Sequence, residues 1–188
     1  MAEAVTPHVR AILEEEGEAT AEEPFDLEDE GVAGYLDAAP LVLGYAMARR
    51  TRDLIASGIA EVQAEKPDGS WTNQEITDRL RSLIVDRDRA NLAAETETVR
   101  TSNRAARFAY AQNGVPELEW YTTSEEPCEH CRAMEGRRIA VDAPFLELGE
   151  TLEGVDGGTR TIDYEDLWDT LHPRCSCGVR PSGAGGLA

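Results

Sequence analysis

Apolar positions recur at three- and four-residue steps in three stretches of the chain, and each stretch is bounded by residues that start or stop a helix. From Tyr35 to Ala64 the repeat runs Leu36, Leu43, Met47, Leu54, Ile55, Ile59 and Val62, the period of an amphipathic helix. Pro40 suits its first turn, where a missing N–H costs nothing. Lys66-Pro67-Asp68-Gly69-Ser70 then interrupts the pattern with turn residues. Thr72 and Glu75 stand at capping-box spacing ahead of Ile76, Leu80 and Leu83, which predicts a second helix. The third and longest runs from Asp88 to Asn113, with Leu92, Thr96, Val99, Asn103, Ala106 and Tyr110 along one face. Gly114 caps it and Pro116 prevents its continuation. Such a helix is roughly 40 Å long, too long for a compact chain of 188 residues to cover fully. Its stripe implies packing on another helix or another subunit, with Asn103 placed to fix the register.

Outside these stretches the pattern loosens. Val5 to Leu13 has the spacing of a short amphipathic helix, and from Glu14 to Glu30 acidic residues crowd together, with no basic residue between Arg10 and Arg49. Like charges at this density predict an extended connector, or an arm that docks on a basic partner surface. Beyond Pro116 the texture turns to short strands, Leu118 to Thr122 and Arg138 to Val141, then Gly-rich turns and one or two helical turns over Tyr164 to Leu171. The expected fold is therefore α+β: an acidic arm over 1–34, a helical docking domain over 35–115, a small β-rich module over 116–181 and a flexible tail over 182–188.

Charge narrows the partners. With 18 Lys and Arg against 37 Asp and Glu the net charge is −19, which opposes broad binding to nucleic acid because a phosphate footprint needs a basic face. The local exception is Arg100, Arg104 and Arg107, whose helical spacing makes either a stripe that touches DNA or an acidic protein, or a solvated face paired with neighbouring acids. The longest apolar run, Ala38 to Ala48, is broken by Pro40 and falls short of the roughly 20 residues that span a bilayer. The N-terminus lacks the basic and apolar pattern of a secretion signal, so the four cysteines are expected to be reduced when made. A single lysine, Lys66, among seventeen arginines fits a GC-rich genome or a high-salt source.

The chemistry sits in the cysteines and histidines. Cys128 and Cys131 form a C-x-x-C, Cys175 and Cys177 a C-x-C, and His172 stands three residues before Cys175; 43 residues separate the two pairs. Two close thiolate pairs can clamp a tetrahedral Zn²⁺. The expected set is Cys128, Cys131, Cys175 and Cys177, with His172 next in rank as a replacement for one of them. A structural zinc is the leading reading, because a β-rich segment poor in apolar residues gains folding energy from metal. Disulfides, a redox-active C-x-x-C and a catalytic zinc are the alternatives; Glu125, Glu126 and Glu129 oppose the redox reading by raising the thiol pKa. Trp120 and Trp168 flank the pairs as apolar lids. His130 lies within the first pair. No nucleotide-binding, hydrolase or zinc-protease signature occurs, so an enzyme is not expected.

These residues, in this order, resemble a family. Arg89-Ala90-Asn91-Leu92-Ala93-Ala94-Glu95-Thr96-Glu97 with Asn103, then Gly114-Val115 and Glu119-Trp120, then Cys128-x-x-Cys131 with Gly136, and finally His172-Pro173-Arg174-Cys175-Ser176-Cys177 look like the Mu F-like, or phage head morphogenesis, minor capsid family over about residues 85–181. Ser176 and Glu95 stand where that family often has Arg. The resemblance implies a virion protein of a tailed virus, assembled in the host cytoplasm, present in several copies in the head interior or at the portal vertex. Its implied partners are the portal or major capsid protein, with packaged DNA reached through the local Arg patch, and its implied role is in head assembly or the packaging and ejection of the genome. The residues alone also fit a cellular zinc-containing module that binds a protein or single-stranded nucleic acid.

Overall fold

The structure, a computed structural model, describes residues 2–21, 24–67, 69–84, 87–162 and 170–183. Helices fill the N-terminal part: α1 (Ala2–Thr20), α2 (Glu30–Glu65), α3 (Asn73–Ile84) and α4 (Arg87–Gln112). The remainder is β1 (Glu117–Tyr121), α5 (Glu129–Met134), β2 (Arg138–Ala140), β3 (Thr151–Glu153), β4 (Thr159–Thr161) and β5 (Gly178–Pro181). The chain is thus α+β, with its sheets confined to the C-terminal part.

The acidic N-terminal stretch is not an extended connector. The helix expected over Val5 to Leu13 continues through the first of the acids to Thr20 as α1, which lies along α4 and touches α2. Val9 and Leu13 turn inward onto Ala105 of α4 and onto Val32 and Leu36 of α2, while Glu14, Glu15 and Glu18 stay exposed. One apolar stripe is enough to fold the helix back, and the carboxylates remain in water on its other side. The predicted 1–34 boundary also shifts, because α2 begins at Glu30, capped by the Asp29 carboxylate, which accepts from the N–H groups of Gly31 and Val32 at 2.9 and 3.3 Å. Position 40 therefore lies well inside the helix and not in its first turn.

Downstream the local signals hold. Thr72 and Glu75 form the capping box: the Glu75 carboxylate accepts from the Thr72 N–H at 2.8 Å, and the Thr72 hydroxyl accepts from the Glu75 N–H at 3.2 Å. At the end of α4, Gly114 takes a φ of 74°. The N–H of Val115 reaches the Tyr110 carbonyl and that of Gly114 the Ala111 carbonyl, the paired closure that a left-handed residue after a helix permits.

β1 is the centre of a three-stranded antiparallel sheet of order β2-β1-β5. Glu119 of β1 is opposite Arg138 on one side and Arg180 on the other. Both arginines bond its carboxylate, at 2.9 and 2.6 Å, in a cross-strand bridge that the sequence reading did not anticipate. β3 and β4 form a separate hairpin whose turn holds Gly154 to Gly158, as the glycine run predicts. The C-terminal core gathers Leu118, Trp120, Met134, Phe145, Ile162, Leu171 and three of the cysteines, with Ala106 and Tyr110 of α4 against it.

α4 is consequently covered on two sides. Ala105 faces the core shared with α1 and α2, and Ala106 the core of the β-rich part. The long stripe is thus met within the chain. The same geometry buries Arg100, Arg104 and Arg107, which are 8, 8 and 3% exposed. Neither a solvated face nor an outward arginine stripe exists at these positions. No helix among the described residues is long and apolar enough to cross a membrane.

Candidate metal centre

Two loops bring the sulfur and imidazole donors together. The first leaves β1 and opens α5, where Cys128 is the N-cap residue and its Sγ accepts from the Cys131 N–H at 3.4 Å. That turn points Cys128 and Cys131 the same way, and it is fastened at its far end by the Gly136 N–H, which donates to the Trp120 carbonyl at 2.9 Å. The second loop runs from Thr170 to Cys177 and enters β5. Within it the Cys175 N–H donates to the His172 carbonyl at 3.0 Å. Arg174 takes a positive φ of 59°, a conformation rarely adopted by a residue with a side chain.

α4 holds this second loop. The Arg174 N–H donates to the Thr96 hydroxyl at 3.3 Å, and its guanidinium is 3.5 Å from the Glu95 carboxylate. Asn103 donates to the Cys177 carbonyl at 2.8 Å, and Arg100 reaches the Thr170 hydroxyl at 3.5 Å and the Glu97 carboxylate at 3.0 Å. Asn103 is not a register residue of a helix–helix seam, as its spacing suggested, but ties the ligand loop to α4. Arg107 donates to the carbonyls of Val141 and Ala143 at 2.9 and 2.7 Å and covers the ring of Phe145, which meets Trp120 edge-on. Arg104 lies over the rings of Tyr35 and Phe108. The three arginines predicted to bind a partner are internal braces.

The donors form two overlapping groups, Cys128 with Cys131 and His172, and Cys131 with Cys175 and Cys177. Within each, all ligand atoms lie within 4.8 Å of one another. His172 Nε2 is 3.3 Å from Cys128 Sγ and 3.2 Å from Cys131 Sγ, and Cys131 Sγ is 3.9 Å from Cys175 Sγ. His172, ranked behind the four thiols, stands at the centre of the first group. Its Nδ1 donates to the Pro173 carbonyl at 2.7 Å, which leaves Nε2 with its lone pair toward the sulfurs. Cys131, Cys175 and Cys177 are buried and Cys128 is exposed; all four are free thiols and not disulfides.

Three buried sulfurs this close oppose one another's ionisation. Hydrogen bonds from Cys131 and Cys177 hold the Cys175 thiol well below the usual range, whereas hydrogen bonding with Cys175 and Cys177, together with burial, pushes the Cys131 thiol far above it. A divalent cation reverses that competition, because it favours the thiolate at every donor it touches. Hydrogen bonding with Cys131 lowers the Cys177 thiol, but hydrogen bonding with Cys175 and burial outweigh it and push the thiol up to about 12, against the opposing approach of the Trp120 indole N–H. Trp120 is a buried lid as predicted; Trp168 and the helical turns expected over 164–169 lie outside the described residues.

The five donors can therefore hold a metal ion, with soft sulfur dominating. His130 is not among them. Sequence reading missed two supports, Glu119 and Glu129. The Glu129 carboxylate accepts from the Gly158 N–H at 3.0 Å and ties α5 to the β3–β4 turn. Only long-range pairing reveals either. Compared with protein-family models, with curated proteins and with solved structures, the chain matches none.

Proposed function

We propose that the chain is a non-enzymatic structural protein whose C-terminal module is fastened by Zn²⁺, and that it serves as a minor head protein of a tailed virus, seated in the head interior at or near the portal vertex. The observation that carries the reading is the convergence of Cys128-x-x-Cys131 and His172-x-x-Cys175-x-Cys177 on one partly buried cluster, joined at Cys131. Thiolates at ~2.3 Å around a tetrahedral Zn²⁺ lie about 3.8 Å apart, and the sulfurs of Cys131 and Cys175 are 3.9 Å apart. Sulfur with one imidazole is the donor set Zn²⁺ favours. Five donors leave a surplus over four coordination positions, which supports a closed structural site over one that keeps a water. Glu135, a carboxylate near the first cysteine pair in sequence, accepts from the Thr122 N–H at 2.7 Å.

The viral part rests on the resemblance over residues 85–181; in its support, Glu95, Thr96 and Asn103 of that segment hold the loop that carries His172, Cys175 and Cys177. The partner that fits is a protein of the portal or capsid. Burial of Arg100, Arg104 and Arg107 and a net charge of −19 turn the reading away from packaged DNA.

Elemental analysis of the purified chain should give one zinc per chain, and protein quantification of tailed-virus heads that encode it should give a few copies per particle, near the portal. Absence from the particles, or a salt-sensitive complex of the purified chain with single-stranded nucleic acid, overturns the viral reading. A chain folded identically without metal overturns the zinc.

A further inference from the structure

We propose that two copies of this chain associate through the hairpin formed by the second half of α2 with α3, packed side by side and antiparallel. α2 has 36 residues, and its contacts with the α1 and α4 core involve its first part, at Val32, Tyr35, Leu36 and Ala39. Beyond residue 46, the buried positions among the described residues are Gly58 and Val62, which face α3. A Cβ at Gly58 would lie 2.5 Å from Leu83 Cδ1, so the two helices touch there and glycine is what lets them. α3 has no buried residue although it carries Ile76, Leu80 and Leu83. Between the helices runs an apolar groove of about 330 Å³ lined by Gly58, Ile59, Val62, Trp71, Ile76 and Leu80. Ile59 is 42% and Met47 41% exposed.

Charge selects the occupant. Residues 1–46 hold twelve acidic residues and one basic, and residues 85–188 carry a further net −8, yet residues 47–84 are neutral in sum. The hairpin is the part of the surface where two molecules of charge −19 can approach without strong repulsion. It is also polar from end to end. The base, 49–58 with 80–84, has Arg49, Arg50, Arg52 and Arg81 against Asp53, whereas the tip, 59–79, has Glu61, Glu65, Asp68, Glu75 and Asp78 against Lys66 and Arg79, which are paired with Glu75 and with Glu61 and Glu65. A second copy laid antiparallel sets each basic base on an acidic tip, a self-complementary two-fold arrangement. A parallel one stacks like on like. The 19 residues of α2 from 47 to 65 rise about 28 Å at ~1.5 Å each, so the antiparallel pair holds the acidic bodies more than three screening lengths of ~8 Å apart at physiological salt.

Sedimentation equilibrium of the full chain at micromolar concentration should return twice the 20.6 kDa monomer mass. Ile59→Asp should weaken association by about a hundredfold, the factor that two buried apolar contacts of ~1.4 kcal/mol each represent. Arg52, Glu65, Asp78 and Arg81 are exposed, so reversing them leaves the fold intact. R52E with R81E should give monomers, E65R with D78R should give monomers, and mixing the two variants should restore a dimer containing one of each, with helix content by circular dichroism unchanged throughout. A wild-type chain that stays monomeric overturns the proposal and leaves the hairpin to a different protein. A dimer indifferent to these substitutions, or reversed variants that fail to recombine, overturns it as well.

Discussion

Cys131 belongs to both donor groups, and that sharing ranks the ligands by consequence. Cys131→Ser is expected to abolish metal binding, whereas Cys128→Ser and Cys177→Ser each leave one group whole and should retain metal at reduced affinity; inductively coupled plasma mass spectrometry after dialysis distinguishes them, and equal retention in all three would show that the ion is not shared at Cys131. Asn103 acts one step further out. Asn103→Ala removes the donor to the buried Cys177 carbonyl, at a cost of about 1–3 kcal/mol for an unsatisfied buried group, measurable by denaturant unfolding. Glu119 is a third case. Hydrogen bonds from Arg180 and then Arg138 hold its carboxyl below the usual range. A carboxylate depressed in the folded state stabilises it above the unfolded pKa and loses that contribution as pH falls. Glu119→Gln should therefore lower Tm at neutral pH, and the gap from the wild type should close as the solution is acidified below the ordinary carboxylate range.

At the scale of elements, α3 depends on its cap because it buries no side chain fully. Thr72→Ala is expected to cost about 1 kcal/mol and to speed amide exchange through the first turn of α3 without touching the metal. Glu75 adds a pH signature. The Thr72 backbone, then Lys66 and the Thr72 hydroxyl, hold its carboxyl down at about 2 against an ordinary 4.5. Its contribution is present above 4.5 and disappears as pH falls from 4.5 to 2, so α3 should fray in that window, and Glu75→Gln should remove that part of the pH dependence. Such local devices were legible in the sequence: the capping box, Gly114 and the β1 and β2 segments each depend on neighbours a few positions away. What failed was whatever depended on a distant cover. The helix over Val5 to Leu13 was legible, but the run of acids from Glu14 hid its continuation to Thr20 and the packing of Val9 and Leu13 on α4, and Arg100, Arg104 and Arg107 gave no sign that α2 and the ligand loop would enclose them. The donors were legible as a set because metal chemistry restricts residue types, while the priority of His172 came only from how Pro173 orients its ring.

For the whole molecule the separation into two cores on either side of α4 predicts an uneven response to metal removal. A strong chelator should melt the part beyond Trp120, seen as loss of near-ultraviolet tryptophan signal, while far-ultraviolet helix content largely persists because Val9, Leu13, Val32 and Leu36 pack without it. The donors also bracket a long excursion of the chain: Cys128 and Cys131 precede the β3–β4 hairpin, His172 to Cys177 follow it, and β1 pairs directly with β5. Val155, at the tip of that hairpin, is 56% exposed. A protease that nicks the backbone there cuts a connection the architecture does not need: the two fragments stay clasped as one particle, and fall apart only when the ion is withdrawn.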